Sequence, residues 1–442
     1  MQETFVSEQQ NWHLRILTLS WPVVLSNLSI PLVGLVDIAV LGQISNPSSI
    51  GAITVGTALF SAIYWLFGFL RMGTTGLVAQ AFGAQESKEI KLIAIRTLFI
   101  ATFLGVLLVT IQKPLGLLLF SLFEPSANIE KMANEYFSIR IYSAPAVLIT
   151  LASIGVLFGL QKMKTTLLLT VFLNMTNLLL DVLLVMVFSL GVAGVAIGTL
   201  ISEWASAVLS ILLVTYHISH FGVYKLKRED VFQKKQFSRL FDLSGNLIIR
   251  TFFVQIPFFV GTLLATGFSD LVLASHGILM QLYFMMTYSL DGFAHSAESL
   301  SGYYFGAKRS RDFRTACFLS TLWSLVLALT ISLVYWLFAG ALIGFMTASE
   351  DVRRTALEFT AWIALSPLFC VIAFVMDGIF IGITKIRAMR NSMFFAGMIW
   401  LVTLFTTYKT LGYHAVWLAM SIFMMSRAFL LGLYLRRILQ NF

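Results

Sequence analysis

The sequence predicts an all-α polytopic membrane protein. Twelve transmembrane helices form two six-helix lobes, related by a pseudo-two-fold axis along the membrane normal. Three observations lead there. The 442 residues are 58% hydrophobic and only 12% charged, whereas a soluble domain is about 45–50% apolar and about 25% charged. The mean hydropathy is +0.87, and it is concentrated in runs long enough to cross a bilayer as helices. Short motifs also return half a chain later.

The runs fall at about 13–43, 50–82, 91–121, 133–160, 164–189, 193–217, 240–267, 271–302, 313–345, 353–381, 388–409 and 414–437. Several exceed the twenty or so residues a span needs, so tilt, kinks or extensions are expected. The polar start, Met1 to Asn11, precedes a run too long for a signal sequence, so no cleavable signal is expected.

Assigning the loops alternately to two sides places 20 of the 30 Lys and Arg on one side and five on the other. The remaining five, Arg71, Arg96, Arg140, Arg250 and Arg427, lie in or at the ends of spans. The positive-inside rule then places both termini in the cytoplasm. The net charge of +9 is therefore topology, and nucleic-acid binding is not expected.

Phe82-Gly83-Ala84 and Phe305-Gly306-Ala307 end spans 2 and 8, 223 residues apart (305 − 82). Ala144-Pro145 and Ser366-Pro367 are 222 apart, and Gly191 and Gly412 open spans 6 and 12, 221 apart. Six is even, so the repeats point the same way across the membrane and leave a cavity between them. The expected division is an N-lobe over 1–218, a cytoplasmic linker over 219–239 and a C-lobe over 240–442.

The first span bends and carries an acid. Pro22 and Pro31 interrupt its hydrogen-bond ladder, and Asp37 is costly inside a membrane unless it faces a watery cavity or the outer interface. In span 5, Asn174, Asn177 and Asp181 stand at i, i+3 and i+7, on one helical face. A polar stripe of that kind must face protein or water. Asp37 lies about six residues from the outer end of its span and Asp181 about eight, a similar depth at about 1.5 Å per residue. Two carboxylates at one level can share a proton-binding network, or a structural hydrogen-bond cluster that pins helices together.

Span 6 adds Thr199 and Glu203, and span 4 adds Tyr136. Arg140 is expected to snorkel to the outer interface, and Arg71 to pair with Glu203. In the second half, Asp291 and Asp377 could form a second cation site, or pair with Arg250 or Arg427. Met280, Met285, Met286, Met420, Met424 and Met425 could line an adaptable pocket or serve as packing filler.

The two cysteines, Cys317 and Cys370, lie inside apolar runs and read as packing residues, not a disulfide. No hydrolase, metalloprotease or nucleotide-binding motif is present, and the six histidines lack metal-ligand spacing. No enzyme activity and no cofactor or metal is expected; an ion gradient would drive any work.

Leu70 to Ala84 (L-R-M-G-T-T-G-L-V-A-Q-A-F-G-A), Leu290 to Glu298 (L-D-G-F-A-H-S-A-E) and Gly191 to Thr199 (G-V-A-G-V-A-I-G-T) resemble the MATE family of multidrug and toxic compound extrusion transporters. The D-G-F-A block and the span 1 acid resemble its DinF branch. The resemblance covers the whole chain. It implies two lobes in a V shape and export of organic, often cationic, compounds in exchange for H⁺ or Na⁺. A monomer in the bacterial inner membrane is expected. By the same resemblance Asp37 and Asp181 couple to the proton, with Asn177, Tyr136 and Thr199 in the network and Pro22 as the hinge; Asn174 and Glu203 join them by position. Ser153 stands near a place where some relatives carry Asn, and span 7 has Gln255 without the central acid of the Na⁺-driven branch. Asp377 still resembles one member of that Na⁺ site. The alternatives are a Na⁺-coupled exporter of this family, or a flippase for lipid-linked precursors from the wider superfamily.

Overall fold

The helices begin and end close to where the apolar runs do. A computed structural model describes residues 11–42, 47–121, 127–224, 226–440 and 442, without the side chains of 30–42, 47, 48, 50, 127 and 128. In chain order the helices are α1 (Trp12–Gly42), α2 (Pro47–Leu66), α3 (Phe69–Gly83), α4 (Ser87–Thr110), α5 (Gln112–Phe120), α6 (Ala127–Arg140), α7 (Ala144–Gly159), α8 (Met163–Asp181), α9 (Gly191–Ser219), α10 (Arg228–Val231), α11 (Lys234–Thr266), α12 (Asp270–Gly306), α13 (Ser310–Met346), α14 (Glu350–Glu358), α15 (Thr360–Gly382), α16 (Ile386–Leu411) and α17 (His414–Gln440). Beyond α1, the described residues contain eleven helical segments long and apolar enough to cross a membrane.

Several expected spans are two helices end to end. The second is α2 and α3, broken at Phe67-Gly68, and the third is α4 and α5, broken at Ile111. Span 4 passes through a tight turn at Ile141–Ser143, just before Pro145. That is where a proline, which fixes its own φ and donates no N–H, is accommodated at a helix start. Span 5 widens into a π-type turn, Val182–Val187, immediately after Asp181.

The sequence repeat is also a backbone repeat. Gln85, Gln161 and Ser189 have φ of 60°, 61° and 55°, in the left-handed region. Lys308, Thr384 and Gly412, at 55°, 54° and 54°, follow each of them by 223 residues (308 − 85, 384 − 161, 412 − 189). L-residues enter that region reluctantly, and it commonly closes helix C-termini. The helix seams repeat at the same interval. A Cβ on Gly155 would lie 2.7 Å from the Arg71 carbonyl, and one on Gly378 would overlap the Ala294 carbonyl. Both seams therefore need glycine for close approach.

The chain divides into two compact units. The first runs Leu28–Leu240; the second joins the start of α1, up to Asn27, to Phe241–Phe442. In the first, Phe60, Tyr136, Phe137, Ile141, Leu148 and Ala152 form the core. In the second it is Tyr283, Met286, Trp417, Phe423 and Met424. Met280 and Met420 are also buried there, while Met285 and Met425 are exposed. Four of the six methionines are thus buried, and Met280 and Met420 line a small cavity beside Trp417. Within the second unit the first half of α1 is fixed to α12. Ser20 Oγ meets Ser296 Oγ at 2.6 Å, Asn27 donates to the Tyr288 carbonyl at 3.2 Å, and Arg15 donates to the Tyr304 hydroxyl.

Candidate functional site

On α8 the polar stripe faces inward, as its spacing requires. Asp181 and Asn177 are buried, while Val171, Met175 and Leu179 on the other side are exposed. Asn177 Nδ2 donates to Thr199 Oγ1 at 3.3 Å, and Thr199 passes its own hydrogen to the Val195 carbonyl at 2.9 Å. Asn174 Nδ2 donates to Ser29 Oγ at 2.9 Å, which ties α8 to the second half of α1. Asp181 sits against Gly198 of α9, where no side chain intervenes. Asp37 lies in the helical stretch of α1, but its side chain is outside the described residues, as is that of Pro31. Pro22 is buried, in the part of α1 that packs on α12.

Thr199 and Glu203 are one helical turn apart on α9, so the strip continues into a second cluster. Arg140 Nη1 donates to the Tyr136 hydroxyl at 2.8 Å, and Arg140 Nη2 lies 3.5 Å from Glu203 Oε1. The guanidinium also stands over the Phe60 ring, 4.8 Å from its centroid. Thr57 Oγ1 is 3.5 Å from the Tyr136 hydroxyl, and Tyr64 meets Ser143 at 3.3 Å. Tyr136 thus joins Arg140 and Glu203, while Asn177 and Thr199 form a separate pair one turn along α9.

Two expectations are corrected. Arg140 does not snorkel to an interface: its side chain is 14% exposed and ion-paired. Arg71 is not the partner of Glu203; it lies over the Phe158 ring at 5.6 Å. Helix rotation and depth, which charge counting does not carry, select Arg140. Ser153, near a place where relatives carry Asn, is buried and bonds Ser210 at 3.0 Å.

The second unit treats its acids differently. Asp377 Oδ2 accepts from Arg427 Nη2 at 2.5 Å and also from Arg250 Nη2. Of the two possibilities open for Asp377, the arginine pairing is the one realised, and with both arginines at once. Glu298 is fully buried with His295 Nδ1 3.0 Å from Oε2. Among the described residues no three His, Cys, Asp or Glu side chains are grouped as a metal site.

The MatE family profile matches this chain twice, over residues 22–183 and again over 247–408. The chain belongs to the MatE family. Its members are transporters and not enzymes, and the protein is a multi-pass membrane protein. The two matched stretches start 225 residues apart (247 − 22), in keeping with the interval between the left-handed residues.

Over 439 residues the chain is 33% identical to DNA damage-inducible protein F of Escherichia coli, spanning 98% of this chain and 93% of that protein. It is 24% identical to Protein DETOXIFICATION 44, chloroplastic, of Arabidopsis thaliana, over 94% of this chain and 80% of that protein. It is 19% identical to the probable multidrug resistance protein NorM of Bacillus subtilis, over 90% of both. Among solved structures, a MOP superfamily transporter from Pyrococcus furiosus superposes with a TM-score of 0.84 at 20% identity, covering 98% of this chain and 97% of that one. A MATE transporter in straight and bent conformations gives TM-scores of 0.85 and 0.84 at 20% and 19% identity. The straight form covers 98% of this chain and 97% of its own, the bent form 97% and 95%. These likenesses establish the fold.

Proposed function

We propose that this protein is a multidrug efflux antiporter of a bacterial inner membrane, with both termini cytoplasmic. It exports amphipathic, often cationic, organic compounds in exchange for H⁺ and works as a monomer by alternating access. Asp37 is the principal proton acceptor. Asp181, Asn177, Asn174 and Thr199 complete its network, and the Tyr136–Arg140–Glu203 cluster bounds it. Protonation removes charge from Asp37, lets α1 bend near Pro22 and releases the cationic substrate outward.

One observation carries the reading: the hydrogen bond from Asn174 to Ser29. As odd-numbered spans, α1 and α8 run in the same direction. Position 37 lies eight residues beyond Ser29, and position 181 lies seven beyond Asn174. At about 1.5 Å per residue these are about 12 and 10 Å, one level in the membrane. The common level supports a polar network shared by Asp37 and Asp181.

Proton coupling is favoured over sodium because Asp377, the second-lobe acid that a sodium site would use, is already bound by two guanidinium groups. Sodium would have to displace an arginine.

The test is drug efflux by Asp37→Asn at matched expression, with proteoliposomes given a proton gradient or a sodium gradient alone. Loss of efflux and export driven by the proton gradient are expected. Wild-type efflux by the variant, or export driven by sodium alone, would defeat the proposal.

A further inference from the structure

The segment joining α9 to α11 is not a slack tether. Arg96 of α4 is only 1% exposed. Its Nε donates to the Val231 carbonyl at 3.0 Å, its Nη2 to the Asp230 carbonyl at 2.6 Å, and its Nη1 to Glu89 Oε1 at 2.9 Å. Lys88 pairs with Asp230 at 3.0 Å. Lys91 donates to the Gly222 carbonyl and stands over the Tyr224 ring. These contacts occupy the inner side of the segment and its half-buried acid, Asp230.

The outer side carries the opposite chemistry. Lys227, Arg228, Lys234, Lys235 and Arg239 are exposed, against the single exposed acid Glu229 in the described part of 222–240. Val223 is 98% exposed and Phe232 is 48% exposed.

Depth decides what such a surface meets. Ile95, Phe99, Phe103 and Val106 are exposed along one face of α4, an apolar strip at helical spacing. One and two turns earlier stand the charged Lys91 and Lys88, so the edge of the hydrocarbon falls between Lys91 and Ile95. Phe232 packs edge-on against Phe99, with ring centroids 5.3 Å apart. That places Phe232 at the edge of the apolar strip and its basic neighbours in the headgroup layer.

We propose that this docked segment, together with the first turns of α11, is a binding surface for anionic phospholipid headgroups. Phe232 sits at the acyl boundary, and Lys227, Arg228, Lys234, Lys235 and Arg239 hold the phosphates. Basic residues beside a membrane span attract anionic lipid through a salt-sensitive field. Here Arg96 pre-orders the backbone that presents Lys227 and Arg228, and Lys234, Lys235 and Arg239 stand on the adjoining start of α11. A soluble polyanion such as nucleic acid would gain nothing from an aromatic ring at the level of the lipid-facing strip.

The test uses full-length protein in phosphatidylcholine vesicles containing either brominated phosphatidylglycerol or brominated phosphatidylcholine at the same mole fraction. The emission added by Phe232→Trp is compared in the two. Stronger quenching by phosphatidylglycerol is expected, with the preference lost at high salt and in the K227Q/R228Q/K234Q/K235Q/R239Q background. Because the tryptophan could itself disturb docking, native mass spectrometry of the protein with Phe232 intact gives a second readout. Retained phosphatidylglycerol should fall in the five-glutamine variant. Equal quenching by both lipids, a preference that survives salt and the five substitutions, or unchanged lipid retention overturns the proposal. So does an oligonucleotide that shifts the emission where phosphatidylglycerol does not.

Discussion

Gly198 of α9 faces the carboxylate of Asp181 so closely that a Cβ at position 198 would overlap Asp181 Oδ1. The backbone is close too, with Asp181 N at 3.4 Å from that Cβ. Gly198→Ala therefore has to push the carboxylate from its place or part α8 from α9. Overpacking of this kind costs about 1–3 kcal/mol. The expected outcome is folded protein with a slightly lowered thermal midpoint and a larger loss of drug efflux. Efflux at the wild-type rate in Gly198→Ala would show that the placement of Asp181 does not matter for transport.

Asp377 is the counter-ion of two buried arginines. Asp377→Asn leaves Arg250 and Arg427 facing one another without an anion, and unpairing a buried charge costs about 3–5 kcal/mol. A large fall in the detergent thermal midpoint is expected. Arg427→Met added to Asp377→Asn should recover part of it, because it removes one of the two uncompensated charges. Sodium should not raise the midpoint of the wild type. A sodium-dependent rise abolished by Asp377→Asn would instead make Asp377 a cation ligand.

Glu203 balances Arg140 inside the first unit. Glu203→Gln keeps the shape and removes the charge, leaving Arg140 with the Tyr136 hydroxyl and the Phe60 face. A hydrogen bond to a charged group contributes about 1.5–3 kcal/mol, and the 3.5 Å separation puts this pair toward the lower end. A double-mutant cycle with Arg140→Met measures the coupling. A coupling near zero would mean that Glu203 belongs to the Asp181–Thr199 side of the strip.

Much of this is legible in the sequence alone. Apolar runs gave the spans, because hydrophobic length is set by the bilayer. The repeat is legible in the motifs at Phe82–Ala84 and Phe305–Ala307, whereas the glycine seams at Gly155 and Gly378, at the same interval, are found only in the packing. The stripe of Asn174, Asn177 and Asp181 faces inward because helical periodicity leaves it no other side. Partners across helices were harder. Arg71 and Arg140 are equal candidates for Glu203 by charge, and only the rotation of α6 against α9 separates them. Arg96 looked like one more span-end arginine; its role depends on two backbone carbonyls of α10, which have no sequence signature. The attachment of the first half of α1 to α12 was equally silent, since Ser20, Gly292 and Ser296 are small residues with no charge pattern.

Pro22 provides a test of the bending step. Its missing N–H leaves the Thr18 carbonyl without an intrahelical donor. Pro22→Ala restores that bond and stiffens α1 where it lies against α12. Slower efflux is expected, with drug binding in detergent unchanged, since no proposed contact to substrate or proton is removed. Wild-type efflux in Pro22→Ala would move the hinge elsewhere along α1.

Arg96 makes a prediction that needs no transport assay. Its guanidinium satisfies the carbonyls of Asp230 and Val231 and the carboxylate of Glu89 from a nearly inaccessible position. Arg96→Met keeps the volume of the stem but leaves those carbonyls to find water, at about 1–3 kcal/mol for each buried group left unpaired. The polar ties that remain, Lys88 to Asp230 and Lys91 to Gly222, are exposed and weak by comparison, and the Phe99–Phe232 and Lys91–Tyr224 ring contacts lie at the surface. The segment 222–233 should therefore open locally while the spans stay folded. Limited trypsin digestion reads this directly, because Lys227, Arg228 and Lys234 lie within or beside the docked backbone. Cleavage there should accelerate in Arg96→Met and not in Lys113→Met, a substitution at a cation remote from the segment, while the thermal midpoint of the bulk protein moves little. Equal cleavage of wild type and Arg96→Met would mean that docking through Arg96 does not hold the segment, and the ordered lipid-facing surface would lose its foundation.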